Sequence, residues 1–149
     1  MRTSTIERIT NETKVSLVLN LDGVGRGKIK TNIPFFDHML EQLTFHSSID
    51  LELNARGDID IDFHHSVEDC GICLGNAFVK ALGDKKGINR YGFFLLPMDD
   101  ALIRVALDFS GRSFLSWKVN FPTNRVGNFD LELVREFFNA FSTNSGTTL

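Results

Sequence analysis

The chain lacks the features of several large protein classes. It has no excess of positive charge, because 16 Lys and Arg against 19 Asp and Glu give a formal net charge of -3. This balance argues against a basic surface for nucleic acid or anionic lipid, so any phosphate site must be local. No stretch approaches the roughly 20 apolar residues that span a bilayer, and Met1–Thr10 contains no apolar signal core. We therefore expect a cytoplasmic protein with no nucleic-acid or membrane partner.

Cysteine is also scarce. Cys70 and Cys73 form a CxxC, but they lie inside an apolar-periodic run and have no second pair to complete a zinc knuckle. Both are expected to be buried as small hydrophobic side chains. The 149 residues are 42% hydrophobic and 23% charged, which is enough for one domain with a substantial core.

Alternation and helical spacing predict a mixed order of strands and helices. Strands are expected at 13–21, 28–31, 49–53, 59–63, 93–96, 102–108 and 113–119. Helices are expected at 35–45, 65–82 and 130–141. A hairpin turn is expected at 56–58, and Gly83 is placed to end the second helix.

Paired phenylalanines recur at 35–36 and 137–138, early in two of the predicted helices. This recurrence suggests an internal repeat. We predict an α+β fold built from a duplicated strand-strand-helix-strand-strand-helix unit, with helices packed on one face of each sheet. The first unit is expected to span 1–85 and contain the histidine motif described next. The second, at 86–149, is expected to be truncated, and together the two form one functional domain.

Residues 62–69 hold two of the four histidines side by side, and the carboxylate of Glu68 follows His64 by four positions and His65 by three. A helix starting here places His64 and Glu68 one turn apart on one face and turns His65 about 100° away. This spacing suits metal ligands, and the segment has the donors to serve two ions. Neighbouring helix histidines are equally often simply solvated, so the HHxxE pattern alone leaves both interpretations open.

Seven segments, taken in order, resemble the imidazoleglycerol-phosphate dehydratase family of histidine biosynthesis, and the similarity runs from Ile6 to Leu149. They are TNET at 10–13, FFDHML at 35–40, GD at 57–58, HHSVED at 64–69, GINRYG at 87–92, PMD at 97–99 and SGR at 110–112. The resemblance implies loss of water from imidazole glycerol phosphate, a small phosphorylated imidazole, to give imidazole acetol phosphate through a metal-bound imidazolate. It implies two Mn²⁺ ions per active site, although the donor types also suit other divalent metals.

Matching the family pattern position by position implies a role for each residue. The metal ligands are His38, His64, His65 and Glu68. The catalytic residues are Glu12, His64, His65 and Glu68. The substrate-binding residues are Glu12, His38, Gln42, Arg90 and Arg112, with the two arginines on the phosphate and Glu12 reaching the substrate from a neighbouring subunit.

Some of these positions carry a plainer interpretation when taken alone. A lone helix histidine such as His38 is more often structural, and an arginine at a strand end is usually a solvated charge. Asp99 either orients a ligand or caps a turn. His46 is expected to be structural.

The resemblance also implies a homo-oligomer of twenty-four subunits with active sites at subunit contacts. Phe63 stands where the family commonly has a polar residue, so a hydrogen bond from this position to a metal ligand is expected to be missing. Pro34 stands where glycine is frequent. The family pattern continues after Leu149 with a second HHxxE helix. We therefore expect either a fragment or a defective form, and the alternative function is a noncatalytic metal-binding or assembly subunit.

Overall fold

The computed structural model describes residues Met1–Leu149. Eight strands and three helices follow one another along the chain. In order they are β1 (Thr3–Ile9), β2 (Lys14–Asn20), β3 (Gly27–Lys30), α1 (Pro34–Ser47), β4 (Asp50–Arg56), α2 (His64–Leu82), β5 (Tyr91–Met98), β6 (Ala101–Asp108), β7 (Arg125–Val126), β8 (Phe129–Asp130) and α3 (Glu132–Ser145).

The first four strands form one sheet in the order β1-β2-β4-β3. The β3–β4 pair is parallel and the other two pairs are antiparallel. Alternate side chains of β2 and β4 point to the same face, and this face is the buried one, with Leu17 opposite Leu53 in the register. The helices α1 and α2 cover it. The predicted α+β fold, with helices packed on one face of a sheet, is confirmed.

The helix α2 lies close against α3 because the face of α2 that meets α3 carries glycines. A Cβ atom at Gly71 would lie 2.7 Å from the backbone oxygen of Phe137, and one at Gly75 would lie 2.8 Å from that of Phe141. Such distances leave no room for a side chain, so the two glycines set the spacing of the helices. On the same helix, Cys70 and Cys73 are buried and free, as expected. Burial raises the pKa of Cys73 to about 11, so its thiol stays protonated at neutral pH.

The strands β5 and β6 form a separate antiparallel hairpin. Asp99 lies in its turn with a φ of 49°, a left-handed conformation that aspartate tolerates. Large apolar side chains of this hairpin are exposed on both faces, with Phe93 at 87% and Met98 at 71%. α1 and α3 have 14 residues each, but the sheets differ in size. The internal duplication and the division at residue 85 therefore stay predictions.

Two predicted strands are wrong. Residues 59–63 form a turn, with the Ile61 amide bonded to the Asp58 carbonyl, and the hairpin expected at 56–58 is instead the start of a loop into α2. The alternation of polar and apolar residues at 59–63 comes from aspartates, and the aspartates in and around this segment accept hydrogen bonds in the turn and at the start of α2. Residues 113–119 form no strand, because only Phe114 makes a bridge, to Thr148. The sequence patterns also missed β1 and the short β7–β8 hairpin. None of the three helices combines the length and the apolar character that a membrane span requires.

Candidate active site

The HHxxE motif forms the first turn and a half of α2. His64 opens the helix, and its backbone N–H donates to Asp62 Oδ1 at 2.7 Å, which satisfies one of the free amides of a helix start. His64 Nε2 lies 3.7 Å from Glu68 Oε2. The side chains of His64, His65 and Glu68 are 44%, 48% and 45% exposed, since the opposite face of the helix is buried in the core. The helix therefore presents all three side chains to solvent, with His64 and Glu68 paired as the spacing predicted.

His65 has a carboxylate partner. Its Nδ1 lies 2.8 Å from Asp58 Oδ2 in the loop before α2. This hydrogen bond raises the pKa of His65 above its ordinary value; partial desolvation opposes it, and the charges of Asp58, Glu12 and Asp62 act in the same direction as the bond. When the neutral ring donates Nδ1–H to Asp58, the lone pair lies on Nε2, the orientation found in metal-bound histidines.

Asp58 orients a motif histidine from a position that the sequence analysis did not assign. The hydrogen bond expected to be missing was the one from residue 63, and the bond from His65 to Asp58 is a different one. Phe63 packs on Phe129 instead, with ring centroids 6.4 Å apart. Sequence reasoning overlooked Asp58, although it belongs to the quoted GD segment; the rule that a metal-bound histidine gives its other ring nitrogen to a carboxylate was the available signal.

Buried Asp69 fixes the β1–β2 turn beside α2. Its carboxylate accepts hydrogen bonds from Arg8 Nε at 2.8 Å and from the hydroxyl of Thr13. These bonds join β1 and the residue before β2, on either side of Glu12, to the helix that carries the histidines. Glu12 lines an open groove formed by the turn, and its charge acts on His65 of the same chain. Its predicted reach into a neighbouring subunit stays a prediction.

The remaining predicted ligand, His38, lies on α1. Its side chain is exposed, and Gln42, one turn later, is half-buried. Phe35 and Phe36 on the preceding turn pack on Phe129 with ring centroids 5.0 and 6.2 Å away, so the starts of α1 and α2 share this one buried ring. Nevertheless, no three His, Cys, Asp or Glu side chains of the chain converge in an arrangement that could hold a metal ion. His38 is not gathered with the ligands of α2 into one cluster.

The two predicted phosphate arginines lie at one end of the β5–β6 hairpin. Arg90 is not a free cation, because its Nε and Nη2 donate to the two carboxylate oxygens of Asp108 at 2.5 and 2.8 Å. Arg112 lies in the turn after β6 and makes no salt bridge within the chain. The hydrogen bond from Arg90 lowers the pKa of Asp108, burial opposes it, and the charges of Arg90, Arg112 and Lys85 lower it further. Asp108 and Lys85 are thus additional members of this group that the sequence patterns did not reveal.

The metal motif and the arginines lie at opposite ends of α2. The motif occupies its first turns, whereas Lys85 follows its last residue, with the Lys85 amide bonded to the Leu82 carbonyl. Phe109, next to Asp108, stacks on Phe78 near the same end. A helix of 19 residues is about 28 Å long. Asp99 is at the far end of the hairpin from Arg90, where it forms the turn.

Comparisons with known proteins identify the family that the chain is similar to. The family model described as imidazoleglycerol-phosphate dehydratase matches residues 31–149. Curated imidazoleglycerol-phosphate dehydratases from Cereibacter sphaeroides and Ruegeria sp. are each 58% identical over 149 residues, which is all of this chain and 76% of each relative. The crystal structure of the Staphylococcus aureus dehydratase superposes with a TM-score of 0.87 at 37% identity, covering 98% of this chain and 80% of that one. The Pyrococcus furiosus structure gives 0.82 at 32% identity, covering 96% and 76%.

Proposed function

The chain belongs to the imidazoleglycerol-phosphate dehydratase family, and we propose that it removes water from imidazole glycerol phosphate at metal ions held in part by the first turns of α2. The family and its relatives support a dehydratase of histidine biosynthesis. The metal, the oligomer and the role of each residue are our proposals. Location in the cytoplasm stays a prediction from the sequence.

The donors on α2 fit divalent metal ions. His64 and Glu68 provide an imidazole and a carboxylate on one face, and His65 provides a second imidazole on another. Asp58 Oδ2 lies 2.8 Å from His65 Nδ1, and this hydrogen bond orients the ring so that Nε2 can act as the metal donor. Imidazole with carboxylate suits Mn²⁺, the family's expected metal, as well as other divalent ions. A bound ion supplies Lewis acidity, which makes the ring N–H of a coordinated imidazole more acidic.

The chain's own residues orient the donors and provide proton transfer. Asp58 fixes the tautomer and direction of His65 through Nδ1. Asp69 accepts bonds from Arg8 of β1 and from Thr13, the residue before β2, and so fixes the turn that carries Glu12 relative to α2. We assign Glu12, reaching the substrate from a neighbouring subunit as the family resemblance implies, to accept or return the carbon-bound proton, because a carboxylate can act as a general acid-base group. His38 and Gln42 on α1 are assigned to substrate contact, and His38 also to the metal.

The separation along α2 supports an oligomer with shared sites. A substrate made of one ring, three carbons and a phosphate is shorter than about 10 Å, whereas about 21 Å of helix, from Glu68 to Leu82, lies between the motif and the end of α2 near Lys85 and Arg90. One substrate molecule therefore does not reach both groups of a single chain. We propose that the arginines of one subunit complete the site at the motif of another, in a homo-oligomer that the family expectation places at twenty-four subunits.

The experiment that tests this function measures turnover, metal and size on the same sample. The chain, loaded with Mn²⁺, is expected to dehydrate imidazole glycerol phosphate only in fractions that are oligomeric by light scattering. Metal content is measured by elemental analysis of those fractions. Bound metal without turnover would favour the alternative of a noncatalytic metal-binding or assembly subunit. Turnover by a monomer would contradict the shared site.

Replacing Arg90 or Arg112 with lysine is expected to weaken binding of phosphorylated substrate by about ten- to a hundred-fold. Lysine keeps the positive charge but loses the planar fork that donates two parallel bonds to phosphate. Binding of free imidazole should change little, because it touches only the metal end of the site. Titration calorimetry with imidazole glycerol phosphate and with imidazole separates the two effects.

Arg125→Lys is the matched control. Arg125 donates through Nε and Nη2 to Asp130 in the same two-bond arrangement as Arg90 to Asp108, but it lies in the β7–β8 hairpin. We expect this variant to bind both ligands normally. Equal losses for phosphorylated and phosphate-free ligands in the Arg90 or Arg112 variants would place those arginines outside the phosphate site.

A further inference from the structure

We propose that Asp108 is a positioning residue that holds Arg90 so that one defined edge of its guanidinium meets the phosphate of the substrate. This inference rests on the proposed function, in which Arg90 binds that phosphate. It gives a role to a carboxylate whose negative charge repels the phosphate. Asp108 therefore has an effect on binding whose sign distinguishes positioning from simple electrostatics.

The guanidinium of Arg90 is held on two sides. Its Nε and Nη2 form the edge that donates to Asp108. One face of the group lies over the ring of Tyr91, with Cζ 4.9 Å from the ring centroid. One N–H of Nη1 and the second N–H of Nη2 point away from Asp108 and form the other edge of the guanidinium. That edge offers two parallel donors, the geometry that binds a phosphate through two oxygens.

The backbone that carries Asp108 is fixed from both sides. Asp108 pairs with Tyr91 in the β5–β6 register, and the Phe109 amide donates to the Arg90 carbonyl at 3.1 Å. Thr148 exchanges two backbone hydrogen bonds with Asp108, at 2.8 and 3.0 Å. A carboxylate on such a support holds Arg90 in one direction, so less side-chain freedom is lost when phosphate binds.

The charges around Asp108 suit a phosphate monoester. Lys85, Arg90 and Arg112 all lie near enough to act on its carboxyl group, and Lys85 Nζ donates to the Phe109 carbonyl at 3.1 Å. Three cations and one carboxylate leave two positive charges. A phosphate monoester carries roughly -1.5 to -2 at neutral pH. The carboxylate thus orients Arg90 without cancelling the attraction for the ligand.

Asp108→Asn is expected to weaken binding of inorganic phosphate about ten-fold, measured by titration calorimetry. Electrostatics alone predicts the opposite, because removing a negative charge several ångströms from an anion strengthens its binding, by roughly two- to three-fold. Asp108→Ala serves as a second variant and should act in the same direction. Tighter or unchanged phosphate binding in either variant overturns the proposal.

A double-mutant comparison separates positioning from a loss of folding. In the Arg90→Lys background, Asp108→Asn should no longer weaken phosphate binding, because the group that it orients is gone. Equal weakening in both backgrounds would overturn the proposal. Asp130→Asn, which breaks the matching pair with Arg125, should leave phosphate binding unchanged. If the unsubstituted chain binds no phosphate, or if Arg90→Lys has no effect, the proposed phosphate site itself is wrong. That result differs from one in which only the role of Asp108 fails.

Discussion

Alanine in place of His65 is expected to remove most of the bound metal and to reduce turnover more than about a hundred-fold, since losing only an outer-shell partner of a metal ligand already costs ten- to a hundred-fold. His65 is the motif side chain with an oriented ring, held through Nδ1 by Asp58. The ring is 48% exposed and His65 is not among the residues of the buried core, so its removal leaves the core intact. Thermal unfolding of the variant should therefore be nearly unchanged. Elemental analysis and turnover are the measurements.

His64→Ala and Glu68→Ala should act in the same direction, because they remove the two donors on the other face of the helix. His46→Ala is the control: His46 lies in the last turn of α1, is exposed, and its ring lies edge-on to that of Phe45. It should keep its metal and its turnover. Unchanged metal content and turnover after loss of His65 would remove that residue from the site.

Local patterns predicted the helices well. The run at 65–82 has apolar residues at helical intervals and ends at Gly83, and α2 spans His64–Leu82 with Gly83 at its end. This agreement has a physical origin, because the buried face of a helix must recur every 3.6 residues whatever it packs against. The same rule places His64 and Glu68 together. Spacing along a helix is therefore enough to predict a pair of ligands.

Patterns failed where contacts between distant segments decide the structure. Residues 59–63 alternate like a strand, but a Cβ on Gly57 would lie 2.1 Å from Ser66 Oγ, so the chain at this point is pressed against α2 and not extended in a sheet. The pairing of Asp58 with His65 follows from that approach. Likewise, no periodicity reveals that the arginines lie at the opposite end of α2 from the histidines. Such distances depend on tertiary packing, and only the folded chain displays them.

Phe129→Ala is expected to lower the free energy of unfolding by about 3 to 5 kcal/mol, the range for deleting a buried aromatic ring. Phe129 is 1% exposed and is among the largest fully buried side chains. Its ring packs against Phe35 and Phe36 of α1 and against Phe63, the residue before α2. The cavity would therefore open between the starts of the two helices that carry the predicted ligands. Urea unfolding followed by circular dichroism gives the change in stability.

The same substitution should also weaken metal binding at temperatures where the chain remains folded. With the shared ring gone, the first turns of α1 and α2 lose their common support, so His38 and His64 are held less firmly relative to each other. Phe45→Ala is the matched control, because Phe45 is 69% exposed on α1 and its loss leaves no internal cavity. We expect that variant to change the free energy of unfolding by less than about 0.5 kcal/mol. A comparably small change in the Phe129 variant would show that the ring is not the common support of the two helices, and normal metal affinity in a clearly destabilised Phe129 variant would show that each helix positions its ligands independently.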